Sequence, residues 1–327
     1  MPVALVVGEF CPPVAHDLAL VSAAGRHAAG VAVVVRAGVD DVIPADVRAA
    51  WMARACPSAA VVAANGPLDA DSIEQLLGTT PALIAGDAKL AAELGLPTLS
   101  DVSGVALEAG DVFDQARAQA RRDPVASWGV LPPVVRGGLT RRVCFVGAES
   151  TGKTTLSRLM AERHRTSWVP EHGRDYTIEK MAAGTNDHWD TSDFVAIARL
   201  QGELEDDMAE SAGPLLFCDT DAFATAIWHE RYLGSRSAEV EAVAAARHYD
   251  LYVLCGIDVP FEADGVRFSE SIRPWMQQRF RDGLAARPGP WIEIGGPVED
   301  RVAAVEAYIA ELGLLTAPSM LSPARWR

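Results

Sequence analysis

Residues 147–154, Gly-Ala-Glu-Ser-Thr-Gly-Lys-Thr, have the spacing of a loop that binds the phosphates of a nucleotide. Gly147 and Gly152 allow the backbone to turn, so that successive N–H groups converge on phosphate oxygens. Lys153 can bridge the β- and γ-phosphates, and the Thr154 hydroxyl can ligate Mg²⁺. The segment therefore predicts a site for ATP and Mg²⁺.

The sequence around this loop supplies the structural context that the motif requires. An apolar strand is predicted over Arg142–Val146, and a helix over Thr155–Arg163. A strand, turn and helix whose glycines serve only packing would not explain a Lys-Thr pair at the start of the helix. The predicted nucleotide-binding residues are Gly147, Glu149, Ser150, Thr151, Gly152, Lys153, Thr154 and Thr155.

A carboxylate that completes such a site is expected at the end of a neighbouring strand. Asp219 directly follows the apolar run Leu215–Cys218, which places it at the carboxyl edge of a parallel sheet, where ligands bind. We predict that Asp219 and Thr154 hold the metal ion. Asp221 is predicted either to bind substrate or to cap the helix that follows it.

Two further clusters could complete a phosphoryl-transfer site. Glu171, Arg174 and Tyr176 follow a short strand candidate, where they could grip a substrate, although a solvated turn has the same composition. Arg267 and Arg273 lie after another predicted strand, on a loop that could close over the triphosphate. The predicted catalytic residues are Lys153, Asp219, Arg267 and Arg273.

The composition limits the partners of the protein. The 327 residues include 29 lysines and arginines against 44 aspartates and glutamates, a formal net charge of −15. Because this charge repels polyanions, we expect no nucleic-acid partner and no membrane partner. The N-terminus lacks a basic segment before its apolar run, and the five cysteines are scattered without disulfide or zinc spacing. We predict a cytoplasmic protein, and a second copy of the chain is a candidate partner in a homo-oligomer.

The first part of the chain alternates short β-branched runs with alanine-rich segments. Strands are predicted at Val3–Val7, Val31–Val35 and Ala59–Ala63, and helices at Leu18–Ala29 and Pro44–Ala55. The same alternation restarts after a segment rich in proline and glycine, residues 123–140. We therefore predict an α/β protein with two parallel-sheet nucleotide-binding domains, at residues 1–138 and 139–314, and a loosely held C-terminal tail at 315–327.

Several motifs in one order resemble those of NadR-type proteins, which join an adenylyltransferase-like domain to a P-loop ribosylnicotinamide kinase domain. The motifs are GAESTGKTTL, the Glu171–Tyr176 cluster, Phe194-x-x-Ile-Ala-x-x-Gln201, Asp219-Thr-Asp221 and VPFEADGVR. The resemblance implies a Rossmann-like nucleotidyltransferase fold followed by a P-loop kinase fold. It also implies phosphorylation of the 5′-hydroxyl of nicotinamide riboside by ATP. The predicted substrate-binding residues are Glu171, Arg174, Tyr176, Asp221 and Trp168, and Trp228 and Tyr232 are further aromatic candidates for a pyridinium ring.

The N-terminal half is similar to the adenylyltransferase-like half of this family but lacks its catalytic histidines. The signature G-x-F-x-P-x-H-x-G-H corresponds here to residues 8–17, with Val14 and Asp17 at the histidine positions and His16 at a glycine position. Neither valine nor an ionised aspartate can donate a hydrogen bond to a polyphosphate. We predict a scaffold domain, or a weak nucleotide-binding domain, without catalytic activity.

Three alternatives remain open from the sequence. The P-loop domain could phosphorylate another small molecule, because a P-loop determines the nucleotide and not the acceptor. The chain could be bifunctional, with residual adenylyltransferase activity. It could also be a non-catalytic sensor that binds ATP and NAD-related metabolites without turnover.

Overall fold

A computed structural model describes residues 2–38, 41–103, 110–185, 188–262, 270–322 and 326 of the chain. The chain divides into two compact units. Unit 1 comprises Met1–Leu139 with Thr316–Arg327, and unit 2 comprises Thr140–Leu315. The first segment of unit 1 ends at Leu139, next to the predicted boundary at residue 138. Unit 1 also contains the C-terminal segment. No helix in the described part of the chain is both long enough and apolar enough to cross a membrane.

Unit 1 contains a four-stranded parallel sheet in the order β3-β2-β1-β4. Its strands are β1 (Val3–Gly8), β2 (Gly30–Arg36), β3 (Ala59–Ala64) and β4 (Leu83–Ala85). Its helices are α1 (Ala15–Gly25), α2 (Ala45–Ala55), α3 (Ala70–Leu77), α4 (Ala88–Leu94), α5 (Leu99–Ser103), α6 (Gly110–Arg122) and α7 (Pro133–Leu139), with a 3₁₀ turn at Trp128–Val130. Helix α1 begins before the predicted start at Leu18, because Asp17 accepts a hydrogen bond from the Val14 N–H and so caps its first turn.

The central strands of unit 1 are apolar at consecutive positions because helices cover both faces of the sheet. Val6 and Val33 belong to the apolar cluster on one face, together with α1 and α2. Leu5 and Val34 belong to the cluster on the other face, together with α3 and α4. Side chains alternate between the faces along a strand, so both clusters draw on the same short β-branched runs.

Unit 2 contains a five-stranded parallel sheet in the order β6-β7-β5-β8-β9. Its strands are β5 (Arg141–Val146), β6 (Trp168–Val169), β7 (Leu215–Asp219), β8 (Leu251–Cys255) and β9 (Trp291–Ile294). Its helices are α8 (Lys153–His164), α9 (His172–Ala182), α10 (Thr191–Ser211), α11 (Ala222–Leu233), α12 (Ala238–Ala245), α13 (Arg273–Ala285) and α14 (Val298–Glu311), with a 3₁₀ turn at Glu270–Ile272. Because β5 lies between β7 and β8, the carboxyl ends of these three strands meet at one edge of the sheet.

The C-terminal segment differs from the loosely held tail that the sequence predicts. A short helix, α15 (Ala317–Met320), leads into it. Met320 and Leu321 are buried in the apolar cluster that contains Trp51. The ring of Trp326 meets Trp51 edge-on at a centroid distance of 5.5 Å. The apolar side chains among the prolines and arginines of this segment therefore anchor it to unit 1, because they remove apolar surface from water.

Candidate nucleotide and acceptor site

The phosphate-binding loop joins β5 to α8 in a conformation that needs glycine at two positions. Gly147 has a φ of +143°, and a Cβ atom there would lie 2.8 Å from the carbonyl oxygen of Cys255. Gly152, the N-cap of α8, has a left-handed φ of +82°. The loop therefore passes close to β8 and then presents the N-terminal end of α8 to a ligand.

Two side chains of the loop bond to its own backbone. The Lys153 ammonium group donates to the carbonyl oxygens of Gly147 and Ala148, at 3.1 and 2.8 Å. The Thr151 hydroxyl also donates to the Ala148 oxygen, at 2.9 Å. Phosphate oxygens carry charge and are stronger acceptors for an ammonium group than these carbonyls. Lys153 is thus already at the loop and can exchange neutral acceptors for charged ones.

Thr154 and Asp219, the predicted metal ligands, lie against each other. Asp219 ends β7 beside Phe145 of β5, and its Oδ2 accepts a hydrogen bond from Thr154 Oγ1 at 2.5 Å. No group of three or more His, Cys, Asp or Glu residues suited to a metal occurs in the described part of the chain. One hydroxyl and one carboxylate are nevertheless a donor set that fits Mg²⁺, since this ion keeps several waters and binds substrate phosphates.

The structure describes one of the two arginines that were predicted to form a lid. Arg267 lies outside the described residues. Arg273 is 4% exposed, and its guanidinium donates to the carbonyl oxygens of Ser150, Ile257 and Val259, at 3.3, 3.3 and 2.8 Å. This differs from the predicted lid role, because the side chain is buried against the backbone of two loops. Arg273 supports the phosphate-binding loop in the described structure.

A second supporting arginine, Arg301, does not appear among the sequence-based candidates. It is 2% exposed, donates to the carbonyl oxygens of Thr151 at 2.9 Å and Gly296 at 2.8 Å, and pairs with Asp258 at 2.6 Å. Its position in the sequence could have indicated this role. Arg301 lies in α14, four residues before the buried Val305 and on the same face of the helix. A charged residue on an apolar helix face needs partners, and here the partners belong to the nucleotide site.

A cavity of about 400 Å³ extends from the phosphate-binding loop to the helices α9, α10 and α11. The predicted nucleotide-binding residues other than Gly147 line it. Gly147, the first residue of the loop, is buried. Glu171 and Arg174, predicted to bind the acceptor, line the same cavity. The structure therefore brings the phosphate-binding loop and part of the predicted acceptor site into one space.

Aromatic side chains form one wall of this cavity. Trp228 and Tyr232 are four residues apart on one face of α11, and Trp189 and Phe194 approach from the start of α10. The Tyr232 ring lies 5.2 Å from Trp189 and 5.9 Å from Phe194, between ring centroids. Trp189 and Phe194 were not predicted as site residues, because they lie far from Tyr232 in the sequence.

The geometry of α10 explains the spacing of the motif Phe194-x-x-Ile-Ala-x-x-Gln201. Phe194, Ile197 and Gln201 lie on one face of the helix and line the cavity together. The Gln201 side-chain oxygen accepts a hydrogen bond from the backbone N–H of His172 at 2.9 Å. Gln201 therefore fixes the start of α9, the helix that carries Arg174.

Two predicted substrate-binding residues bond away from the cavity, whose described lining does not include them. The Tyr176 hydroxyl donates to Asp193 at 2.7 Å, and this hydrogen bond to a carboxylate raises the pKa of Tyr176 to about 12. Trp168 donates from Nε1 to the Ser157 hydroxyl at 2.8 Å, and the Arg158 guanidinium lies 5.4 Å from its ring. Tyr176 orders α9 against α10, and Trp168 packs on α8, so neither is placed to bind substrate.

Asp221 takes the capping role that the sequence left open. It is fully buried, and it accepts hydrogen bonds from the Ala224 N–H at 2.9 Å and from the Tyr252 hydroxyl at 2.7 Å. Burial raises the pKa of this carboxyl group. Both oxygens thus serve the start of α11 and its contact with β8, and this role replaces the predicted substrate contact.

The corresponding loop of unit 1 is filled by its own side chains. Asp17 is fully buried, accepts from the Val14 N–H at 2.8 Å and from Arg117 Nε at 3.0 Å, and is paired with the Arg117 guanidinium. Val14 is buried, whereas His16 is half-buried. The aspartate at the last histidine position of the adenylyltransferase signature is therefore held in a buried ion pair.

A buried arginine ties together the loops at the carboxyl edge of the unit 1 sheet. Arg48 donates to the carbonyl oxygens of Ile43 at 2.8 Å and Arg36 at 3.1 Å, and to that of Glu9. It also pairs with Asp41. Arg48 thus has a structural role in unit 1.

Comparison with known proteins gives a family match and similar relatives. The model of the family described as "AAA domain" matches residues 142–301. The trifunctional NAD biosynthesis/regulator proteins NadR of Escherichia coli K12 and Salmonella typhimurium LT2 are each 31% identical over 150 residues. The alignment covers 46% of this chain and 36% of each relative, so the match spans about a third of those proteins.

Two crystal structures of NadR, one in complex with NAD and AMP-PNP and one with NR, are similar in fold. Each gives a TM-score of 0.69 at 18% identity and covers 95% of this chain and 96% of the other. The chain is NadR-like. The NadR-like fold extends over both units, which confirms the predicted α/β class with two parallel sheets. The match to the AAA domain family lies within unit 2 and is consistent with nucleotide binding there.

Proposed function

We propose that unit 2 is a kinase that transfers the γ-phosphoryl group of ATP to the 5′-hydroxyl of nicotinamide riboside, forming NMN and ADP. The observation that carries this proposal is that one cavity has the phosphate-binding loop in one part and an aromatic and polar pocket in the other. A nucleotide and a flat acceptor bound there would share one space, as direct transfer between them requires.

The nucleotide half of the site acts by positioning and charge. Lys153 moves from its two carbonyl partners to the β- and γ-phosphates, while the N–H groups at the start of α8 face the phosphate oxygens. Thr154 and Asp219 would hold Mg²⁺, which when bound neutralises phosphate charge. Arg273 and Arg301 keep the loop in shape through its carbonyl oxygens.

The acceptor half suits a flat, positively charged ring. Trp189, Trp228 and Tyr232 border the cavity, and an aromatic face attracts a pyridinium cation. Glu171 and Arg174 border it with polar groups that could bind ribose hydroxyls. Asp219, which bonds to Thr154 behind the described lining of the cavity, would orient the 5′-hydroxyl toward the γ-phosphorus.

The protein cations nearest the aromatic wall are each paired with a carboxylate. Lys180 lies 4.9 Å from the Trp189 ring centroid and pairs with Asp193 at 3.0 Å. Arg231 lies above Trp228 and pairs with Glu149 at 3.4 Å. Because both charges are compensated locally, they oppose a cationic acceptor less than free cations would.

For unit 1 we infer a scaffold or weak nucleotide-binding role without adenylyl transfer. The buried Asp17–Arg117 pair occupies the start of α1, where the related signature has a catalytic histidine. A cytoplasmic location is part of the proposal, and it is supported by five buried cysteines with free thiols, which suit a reducing compartment.

The experiment is an assay of the full chain with Mg·ATP and either nicotinamide riboside or NMN, with products identified by mass. We expect NMN and ADP from the first reaction and no NAD from the second at a comparable rate. Adenosine, uridine and ribose serve as competing acceptors. Faster phosphorylation of a neutral nucleoside would replace the proposed acceptor, and tight ligand binding without turnover would favour a sensor.

A further inference from the structure

Glu149 links the phosphate-binding loop to α11. It is the third residue of the loop, is 5% exposed and borders the cavity. Its Oε1 lies 3.4 Å from Nη1 of Arg231, whose side chain is 14% exposed. A pair this well shielded from water interacts more strongly than an exposed ion pair.

Arg231 in turn contacts the aromatic wall. The centre of its guanidinium lies 5.1 Å from the Trp228 ring centroid and 5.0 Å from that of Tyr232. Both rings border the acceptor part of the cavity, and Tyr232 also contacts Trp189. Carboxylate, guanidinium and rings therefore form one continuous path from the phosphate-binding loop to the acceptor pocket.

We propose that Glu149 and Arg231 couple the two halves of the site, so that a bound nucleotide tightens acceptor binding and a bound acceptor tightens nucleotide binding. This inference rests on the proposed kinase function. When phosphates replace the carbonyl partners of Lys153, the loop backbone that carries Glu149 is fixed. Glu149 then holds Arg231, and the planar guanidinium holds the Trp228 and Tyr232 rings in their binding orientation.

The coupling has a purpose in a phosphoryl-transfer enzyme. A site that assembles fully only when both substrates are present exposes the γ-phosphate to water less often than one that assembles with ATP alone. Thermodynamic reciprocity requires the same factor in both directions. Couplings of this kind are roughly 5- to 150-fold, and we expect about tenfold here.

The experiment measures the dissociation constant of nicotinamide riboside by calorimetry, with and without saturating Mg·AMP-PNP, on the full chain. The variants are Glu149→Gln, Arg231→Met and the double variant. The ratio of the two constants should fall from about ten in the wild type to below about two in all three. The matched control is Arg236→Met, which removes an exposed partner of Glu241 just after α11 and should retain the wild-type ratio.

A purely structural role of Arg231 would weaken acceptor binding by the same factor with and without nucleotide, so the ratio separates the two roles. An unchanged ratio in the variants, or a wild-type ratio near one, overturns the inference. If Arg231→Met does not fold, Arg231→Lys replaces it, because it keeps the charge and loses the planar fork, and should give an intermediate ratio.

The wild-type protein separates this inference from the proposed function. If it phosphorylates a different nucleoside, the acceptor assignment is wrong, and the same ratio is then measured with that nucleoside. If it binds no nucleoside at all, both the kinase function and the coupling are wrong. If it forms NMN while the variants keep the full ratio, the coupling alone is wrong.

Discussion

Units 1 and 2 begin alike and differ at the turn after their first strand. In each, an apolar parallel strand leads through a short loop into a helix, β1 into α1 and β5 into α8. In unit 2 this loop turns at Gly147 and Gly152, and its residues from Glu149 onward border a cavity. In unit 1 the buried Phe10 packs on Gly8, where an added Cβ would lie 2.8 Å from its ring.

The charge at the start of the two helices also differs. A helix N-terminus attracts an anion, because its first N–H groups have no partner in the helix. In unit 1 the protein supplies that anion itself, through the buried carboxylate of Asp17. In unit 2 the first helical residue is Lys153, which brings a second positive group. One or two side chains therefore decide whether the start of this helix already carries an anion of the protein or has only positive groups.

The largest effect is expected from replacing Lys153, in the phosphate-binding loop of unit 2. Lys153→Ala should lower kcat/KM of phosphoryl transfer by about a thousandfold, because one preorganised positive group at the transferring phosphate is lost. The urea midpoint should barely change. Lys89→Ala, on the surface of unit 1, is the control. If Lys153→Ala kept near wild-type turnover, the assignment of the site would be wrong.

The next effect concerns the internal anion of unit 1. Arg117→Met leaves Asp17 buried without its partner and should lower the free energy of unfolding of unit 1 by about 3 kcal/mol. Kinase kcat/KM should stay unchanged. The measurement is urea unfolding with and without Mg·AMP-PNP, since the analogue raises the midpoint only of the unit that binds it. Adding Asp17→Asn should restore part of the loss, and a loss that persists in full would show that Arg117 acts through packing.

A smaller effect is the pH dependence of unit 2. Burial raises the pKa of Glu205 to about 7, although Arg247 and Arg142 lie beside it. The folded state therefore holds its proton more tightly than the unfolded chain does, and this contribution to stability is lost as pH rises through 7. From about pH 5 to about pH 8 the loss should be about 2 kcal/mol.

Glu205→Gln tests this assignment, because glutamine does not titrate. Its unfolding free energy should vary less with pH than that of the wild type, whatever its absolute stability. For each protein we compare the free energy of unfolding at about pH 5 with that at about pH 8. It is measured on the urea transition that Mg·AMP-PNP shifts. Identical differences in both proteins would assign the pH dependence to other groups.

The smallest effect tests the support of the phosphate-binding loop. Arg301→Gln removes the ion pair with Asp258 and weakens the contact with the Thr151 oxygen, so we expect KM for ATP to rise by about tenfold, a loss of about 1.4 kcal/mol. Arg281→Gln, which removes an exposed partner of Glu293 in the same unit, is the control. Equal KM values for the two variants would mean that Arg301 does not position the loop.

Prediction succeeded where one short segment carries the whole signal. The segment Gly147–Thr154 predicted a strand before it, a turn within it and a helix after it. Each of its residue types has a role that depends only on neighbouring residues. It failed where the partner of a side chain lies far along the chain. Tyr176 meets Asp193, and Arg273 meets Ser150. For Asp221 the predicted alternative of a helix cap is the one observed, and only its bond to Tyr252 was not foreseen.

The sequence alone was sufficient for the two parallel sheets and the place of the phosphate-binding loop, since hydrophobic periodicity and glycine spacing are local properties. Tertiary structure decided the rest of the site. It brought Trp189 to Tyr232 and Arg301 to the loop, buried Asp17 against Arg117, and packed Trp326 on Trp51. The physical reason is that burial and pairing depend on distances in space. A charged or aromatic residue has the same local signature whether it faces a ligand, a partner side chain or the core.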